Sequence, residues 1–296
     1  MKLINSFFLS LLCIISATSC NSGSNTDNAN AAATATADSA GSGSVDGFKL
    51  GVQMWTFRMF SVTDALNKVD SAGIKNIEAF FGQPLGGDMK GNFGPEMDAG
   101  TRAKLKALLQ SKGISIVAMG VISPKDKAEW VKAFDLAAEF GLSYITSEPK
   151  KDQWDMVDSL AGAYAIKVAI HDHPKPSGYW SPDSVLAAIK GHSNIGACAD
   201  IGHWPRSGLD PVECLKKLDG HVIGVHLKDI VAFDVINAAD TVVGKGIIDY
   251  PAVFKELKRQ NFNGMLSIEH ESNWYHNLPD VIEIKKYFND ELAKLK

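Results

Sequence analysis

The chain has 296 residues, 45% of them hydrophobic, and its 30 Lys and Arg against 34 Asp and Glu leave a formal net charge of -4 at pH 7. With no run of basic residues, this mild acidity offers nothing to a phosphate backbone, so nucleic acid is a poor partner. Behind a leader and a polar stretch about 250 residues remain, enough for one large α/β domain, and a second domain is not expected.

Residues 1–20, MKLINSFFLSLLCIISATSC, carry one Lys, an apolar stretch too short to span a bilayer comfortably, and small residues ahead of Cys20. This looks like a lipoprotein signal peptide with Cys20 as the lipid acceptor; the alternative is an ordinary secretory signal cut near Ala17 to Ser19. Both predict export. The first predicts a protein anchored at the periplasmic side of a membrane or at the cell surface, touching lipid only through Cys20. Residues 21–46 are Ser, Gly, Asn, Ala and Thr with almost no large apolar side chain, the composition of a flexible tether. The folded domain is expected over 47–296.

From Lys49 onward, strand-like and helix-like segments alternate. KLGVQMWTF precedes a helical pattern over 61–72, capped by Ser61 and stopped by Gly73, and NIEAFFG precedes, after a Gly-rich loop, a helix over 98–112. ISIVAMGVI leads to an amphipathic helix over 125–140, in which Trp130, Phe134 and Ala137 recur at helical spacing. YITSE precedes a shorter helix through Trp154 and Leu160, IKVAIHDH one over 182–189, and IGACADIGH one over 211–218. VIGVHLKD is followed after a long loop by a helix over 250–260, and MLSIEHE by the last, over 279–295. The apolar runs are of strand length and do not alternate cleanly with polar residues, so they are expected to be covered on both faces, as in a parallel sheet. Eight strands and eight helices in alternation predict a single-domain (β/α)8 TIM barrel, an α/β fold whose site lies at the carboxyl ends of the strands. A doubly wound open sheet is the alternative, but WTFRMFSVTD at the first strand-to-helix junction has no Gly-rich phosphate loop. Outside the leader, Cys198 and Cys214 are expected as small buried hydrophobes and not as a disulfide.

Four acid or imidazole groups stand at the ends of these runs. Glu148 closes YITSE, Asp200 stands in ACADIGH, His226 closes HVIGVH and Glu269 closes MLSIE. On a barrel Glu148 and Glu269 would face each other from strands four and eight, with Asp200 and His226 closing one flank. Three carboxylates and an imidazole predict one divalent ion. Hard oxygen donors with positions left open for substrate suit Mn2+, Mg2+ or Co2+ better than a closed zinc site, with Zn2+ the remaining choice.

Glu148, the Asp-x-x-His of Asp200 and His203, His226 in VHLKD and Glu269 in SIEHE, together with GKGIIDYPAVFKELKRQNFNGMLSIE, resemble the xylose-isomerase-like barrels, especially the sugar isomerases and epimerases related to ketose 3-epimerases. The resemblance covers the domain from about Lys49 onward. It implies that Glu148, Asp200, His226 and Glu269 bind one divalent metal, that the two Glu also exchange protons with substrate, and that His203 contacts a substrate oxygen. Such a site removes a proton beside a carbonyl to give an enediolate; inversion, isomerisation or elimination follows according to where the proton returns or whether a β-substituent leaves. Export and the lack of a basic cluster do not suit a sugar phosphate, so the expected function is a metal-dependent isomerase or epimerase of a non-phosphorylated sugar. The alternative is a lyase or hydratase acting on a 3-keto-glycoside. A non-catalytic carbohydrate-binding lipoprotein has no need of paired carboxylates, and an abasic-site endonuclease needs further His and Glu ligands and a basic groove.

Several neighbours are candidates for substrate contact. Lys228 has the strand parity to point into the mouth, where it could hold a hydroxyl or enediolate oxygen, or else it is a surface Lys paired with Asp229. Of His171 and His173, one is expected to face the site and one the helices. Glu78 either hydrogen-bonds substrate or supports a neighbour. Glu271 is the rival of Glu269 on strand eight, and His270 is expected to point outward. Trp55, Phe81, Trp180, Trp204 and Trp274 lie at or beyond strand ends, where aromatic rings can cover the C–H face of a sugar. The sequence leaves the oligomeric state open.

Overall fold

The computed structural model describes residues 44–45 and 47–295. The leader, and the tether except for Ser44–Val45, lie outside the described residues. Eight parallel strands form the barrel: β1 Phe48–Gln53, β2 Asn76–Ala79, β3 Ser115–Ile122, β4 Tyr144–Ser147, β5 Lys167–His171, β6 Ile195–Asp200, β7 Val222–Leu227 and β8 Met265–Ile268. Each pairs with its chain neighbour, and β8 also pairs with β1, which closes the ring. The short segment Ser44–Val45 runs antiparallel to β1.

Helices follow each strand: α1 Val62–Ser71, α2 Ala99–Lys112, α3 Lys127–Phe140, α4 Trp154–Tyr164, α5 Pro182–Ile189, α6 Pro211–Lys217, α7 Tyr250–Arg259 and α8 Leu278–Lys294. Local chemistry sets their ends. Ser61, Asp98, Asp126, Ser181, Asp210 and Asp249 each accept a hydrogen bond from a first-turn N–H, and Gly113 and Gly141 end α2 and α3 in the left-handed region that an L side chain resists. On α3 the predicted Trp130, Phe134 and Ala137 form its buried face.

The Gly-rich stretch after β2, expected as a loop, contains a hairpin of Pro84–Gly86 with Met89–Asn92. The long loop after β7 likewise pairs Asp229–Ile230 with Asp240–Thr241. Both follow the carboxyl end of a barrel strand, outside the barrel's own repeat.

The interior is layered. Ala118, Tyr144, Ala169, Cys198 and Met265, one from each of five strands, pack together as a buried group apart from the larger core between strands and helices. Tyr144 fits because β7 has Gly224 opposite: a Cβ there would stand 2.6 Å from the tyrosine oxygen. Cys198 and Cys214 are free thiols, both buried.

Candidate metal centre

The pleat that builds the apolar layer also builds the site. Two residues along the same inward-facing row, Cys198 is followed by Asp200, Ala169 by His171, Tyr144 by Thr146 and Met265 by Ser267, so the layer above is polar and buried. In register, His226 lies level with Asp200 on one side and Ser267 on the other.

His226 Nε2 pairs with Glu78 Oε2 at 2.9 Å, and its Nδ1 lies 2.9 Å from Glu269 Oε2 and 3.9 Å from Asp200 Oδ2. His171 repeats the pattern, with Nδ1 3.4 Å from Glu148 Oε1 and Nε2 3.6 Å from Asp200 Oδ2. Each imidazole leans one nitrogen on an outer carboxylate and turns the other inward, the arrangement that fixes a ligating histidine's tautomer. The inner atoms, His171 Nε2, Asp200 Oδ2, His226 Nδ1 and Glu269 Oε2, are buried and lie at ion-pair distances from one another, with His203 and Lys228 beside them. These four residues can each bring one ligand atom within 4.8 Å of the other three. Four buried donor atoms aimed at one point, two of them carboxylate oxygens, fit a cation.

Lys228 stands beside them with almost no exposed surface. Its Nζ is 3.1 Å from Asp200 Oδ2, 3.2 Å from Glu269 Oε2 and 2.7 Å from Glu271 Oε1. Burial opposes its charge, but the carboxylates of Asp200, Glu269 and Glu271 prevail and hold the ammonium well above the ordinary lysine value. Burial likewise opposes ionisation of Glu269, yet the charges of Lys228 and His226 bring its pKa down to about 2. For His171 burial disfavours the imidazolium, and bonds to Asp200 and Glu148 raise it to about 9 despite that.

His203 begins the helical turn His203–Arg206 directly after β6, which curls it back over Asp200, 3.5 Å from Oδ2 through its Nε2. Arg206 donates to its Nδ1 at 2.9 Å, so the ring carries its proton on Nε2, and the 3.2 Å approach of Lys228 Nζ to that nitrogen joins two donors. Burial keeps the ring well below the usual histidine range, and the charge of Lys228 works in the same direction against that of Asp200.

Glu148, just past β4, stands outside the group of four. Its Oε1 takes His171 Nδ1, the His173 backbone N–H and His173 Nδ1, and its Oε2 accepts from Ser177 at 3.0 Å. Burial would raise its pKa, but the bonds from His171 and His173 keep it well below the carboxylate range. The expected ligand set of Glu148, Asp200, His226 and Glu269 is therefore brought together in three of its members, with His171 in the fourth place. The split expected between His171 and His173 also gives way: their ring centres are 4.4 Å apart. Strand β5 ends at His171, so the alternation of faces no longer governs residue 173. Glu78 is fully buried behind His226 and also accepts from Ser267, away from substrate reach. Glu271 holds Lys228 and the indole N–H of Trp55, and His270 points outward to Asp280.

A cavity of about 970 Å3 opens over this layer, with Glu148, His173, His203, Glu269 and Trp55 in its wall. Sequence reasoning left Arg206 unmentioned and gave Asp172 no role. Asp172 accepts the Asp200 backbone N–H at 2.8 Å. Arg206 was discoverable from its i+3 spacing to His203 on a helical turn.

The pattern of the xylose isomerase-like TIM barrels matches residues 66–293, most of the described chain. The chain belongs to that family. An inosose dehydratase of Clostridium botulinum (strain Alaska E43 / Type E3) is 30% identical over 146 residues, 42% of this chain and 49% of that protein, so the chain spans about half the length of the curated relatives it matches. A solved putative uncharacterized protein of Parabacteroides distasonis is 36% identical, with 82% of this chain and 99% of that one covered and a TM-score of 0.68. The solved IOLI protein with a zinc atom is 18% identical, with 83% and 99% covered and a TM-score of 0.66, a likeness of fold.

Proposed function

We propose that this chain is a divalent-metal-dependent carbohydrate enzyme that abstracts a proton beside a carbonyl. The observation carrying this reading is the set of four buried ligand atoms on His171, Asp200, His226 and Glu269 that converge on one point. Two nitrogens and two oxygens favour Zn2+, Co2+ or Mn2+ over Mg2+. A divalent ion bound there supplies a Lewis acid that stabilises negative charge developing on a substrate oxygen.

The chain's own residues do the rest. Glu148 and Glu269 are both held ionised, both reach the cavity, and come from strands on opposite sides of the ring, so each can take or return a proton on its own side of a substrate carbon. His203, kept neutral with its proton on Nε2 and set in the cavity wall, is a donor for a substrate oxygen, while the Lys228 ammonium, buried beneath it, holds Asp200, Glu269 and Glu271 in place. Epimerisation uses both carboxylates, one on each face, and isomerisation returns the proton to the neighbouring carbon. Elimination uses one, with a donor protonating the departing group, and the curated relatives named inosose dehydratase support that outcome. The test is to load the purified protein with Mn2+, Co2+ or Zn2+, incubate it in D2O with ketoses and 3-keto-glycosides, and follow deuterium at carbon by NMR. Deuterium uptake is expected, with release of a leaving group if the outcome is elimination. Metal-loaded protein that binds a sugar yet exchanges no C–H on any of them would overturn the reading.

A further inference from the structure

The cavity is larger than one sugar ring needs, and its two sides differ. At the roughly 30 Å3 a water molecule occupies in the liquid, the twelve non-hydrogen atoms of a hexose fill no more than about 360 Å3. That leaves over half of the 970 Å3. The residues of the proposed chemistry occupy the part of the wall built from β4, β6 and β8. Across from β4 to β6, the ends of β1 and β2 contribute Trp55, Phe80 and Phe81, all half-buried. Trp55 and Phe80 meet edge to face with ring centres 5.1 Å apart. The Trp55 indole is also fixed at its polar edge, donating to Glu271 Oε2 at 3.3 Å, while Glu271 Oε1 holds Lys228. Its other restraint is Arg58, whose guanidinium lies 4.5 Å from the Trp55 ring centre and 3.7 Å from that of Trp274. An aromatic wall pinned from two sides offers a rigid apolar surface, which costs little entropy to use.

We propose that Trp55, Phe80 and Phe81 form a second-ring subsite, so that the ligand is a glycoside whose second ring, sugar or aglycone, lies on the aromatic wall while the first ring faces the charged layer. This rests on the carbohydrate reading of the site above and adds the size and shape of the substrate. A lone monosaccharide would leave the wall wet.

Isothermal titration calorimetry on the full-length, metal-loaded protein tests it, with glucose, cellobiose, maltose and phenyl β-glucoside as probes and chemistry playing no part in the readout. At least one two-ring probe is expected to bind about tenfold more tightly than glucose, and Phe81→Leu or Phe80→Leu to reduce that preference to below about twofold. Leucine keeps the apolar volume, and a melting curve checks that the variants are folded. Tighter binding of the disaccharides assigns the wall to a second sugar, and tighter binding of the phenyl glucoside to an aromatic aglycone. Equal affinity for one-ring and two-ring probes, or a preference that survives both leucine variants, overturns the subsite alone. Failure of all four probes, while a ketose or 3-keto-glycoside binds the metal-loaded protein, overturns the subsite alone; if those carbonyl sugars fail to bind as well, the carbohydrate reading fails together with it.

Discussion

Lys228 is the residue on which the balance of the charged layer turns. Its ammonium touches the same Asp200 and Glu269 oxygens that a metal would use, so in metal-free protein it neutralises charges that would otherwise be buried without a counter-ion. Breaking a buried pair by removing one partner costs about 3 to 5 kcal/mol. Lys228→Met is therefore expected to lower the melting temperature sharply in EDTA and much less with saturating metal; equal losses in both conditions would contradict this. His171 gives the layer a pH dependence. Its folded pKa of about 9 lies above the unfolded value near 6.5, so its contribution is complete below pH 6.5 and is lost as pH rises through 9. The metal-free protein should lose stability across that window, at most about 3 kcal/mol from this group. Metal must displace the same proton, so its affinity should rise over the same interval, as a titration at pH 6, 7.5 and 9 would reveal. For catalysis, Glu148→Gln and Glu269→Gln are each expected to reduce C–H exchange at least about 100-fold with metal occupancy measured alongside. Parent-rate exchange in a metal-loaded Gln variant would pass the role of base to His203 or Lys228. Strand parity made Asp200, His226, Lys228 and Glu269 legible in the sequence because all lie on or next to regular strand. Parity pointed Glu148 inward as well, but it could not show that the loop carrying His173 and Ser177 draws its carboxylate away from the group of four.

At the scale of elements, strand and helix order was legible because capping residues and apolar runs are local signals. The two small ribbons were not, since each depends on a partner segment that the repeat does not announce. One residue shows what holds the ribbon after β7. Asp229, which one of the two sequence readings of Lys228 made its surface partner, is buried, and its carboxylate accepts the backbone N–H groups of Ile230, Gly244, Gly246 and Ile248. Burial raises its pKa in spite of those bonds. The loop they gather includes Ile236, Asn237 and Ala238, which form part of the cavity wall. Asp229→Ala should cost about 2 kcal/mol and, more tellingly, open residues 231–247 to limited proteolysis while the barrel resists. Cleavage at the parent rate would mean that the ribbon is held by other contacts.

For the whole molecule, the barrel takes up the described residues from 47 onward. Among the described residues no helix is long and apolar enough to cross a membrane. We propose that the leader is cut ahead of Cys20, that Cys20 then carries a lipid as the first residue, and that 21–46 tether the barrel to the membrane. Labelling cells with an alkyne-bearing palmitate should mark the parent and not Cys20→Ser, and the variant should leave the membrane fraction; a labelled Cys20→Ser protein would disprove this anchor. The apolar layer of Ala118, Tyr144, Ala169, Cys198 and Met265 has a consequence for what the molecule can be fed. Those side chains stop the barrel beneath the charged layer, so the cavity has a closed floor. Under the proposed function nothing can thread through the barrel, and a product must leave from the face by which its substrate came.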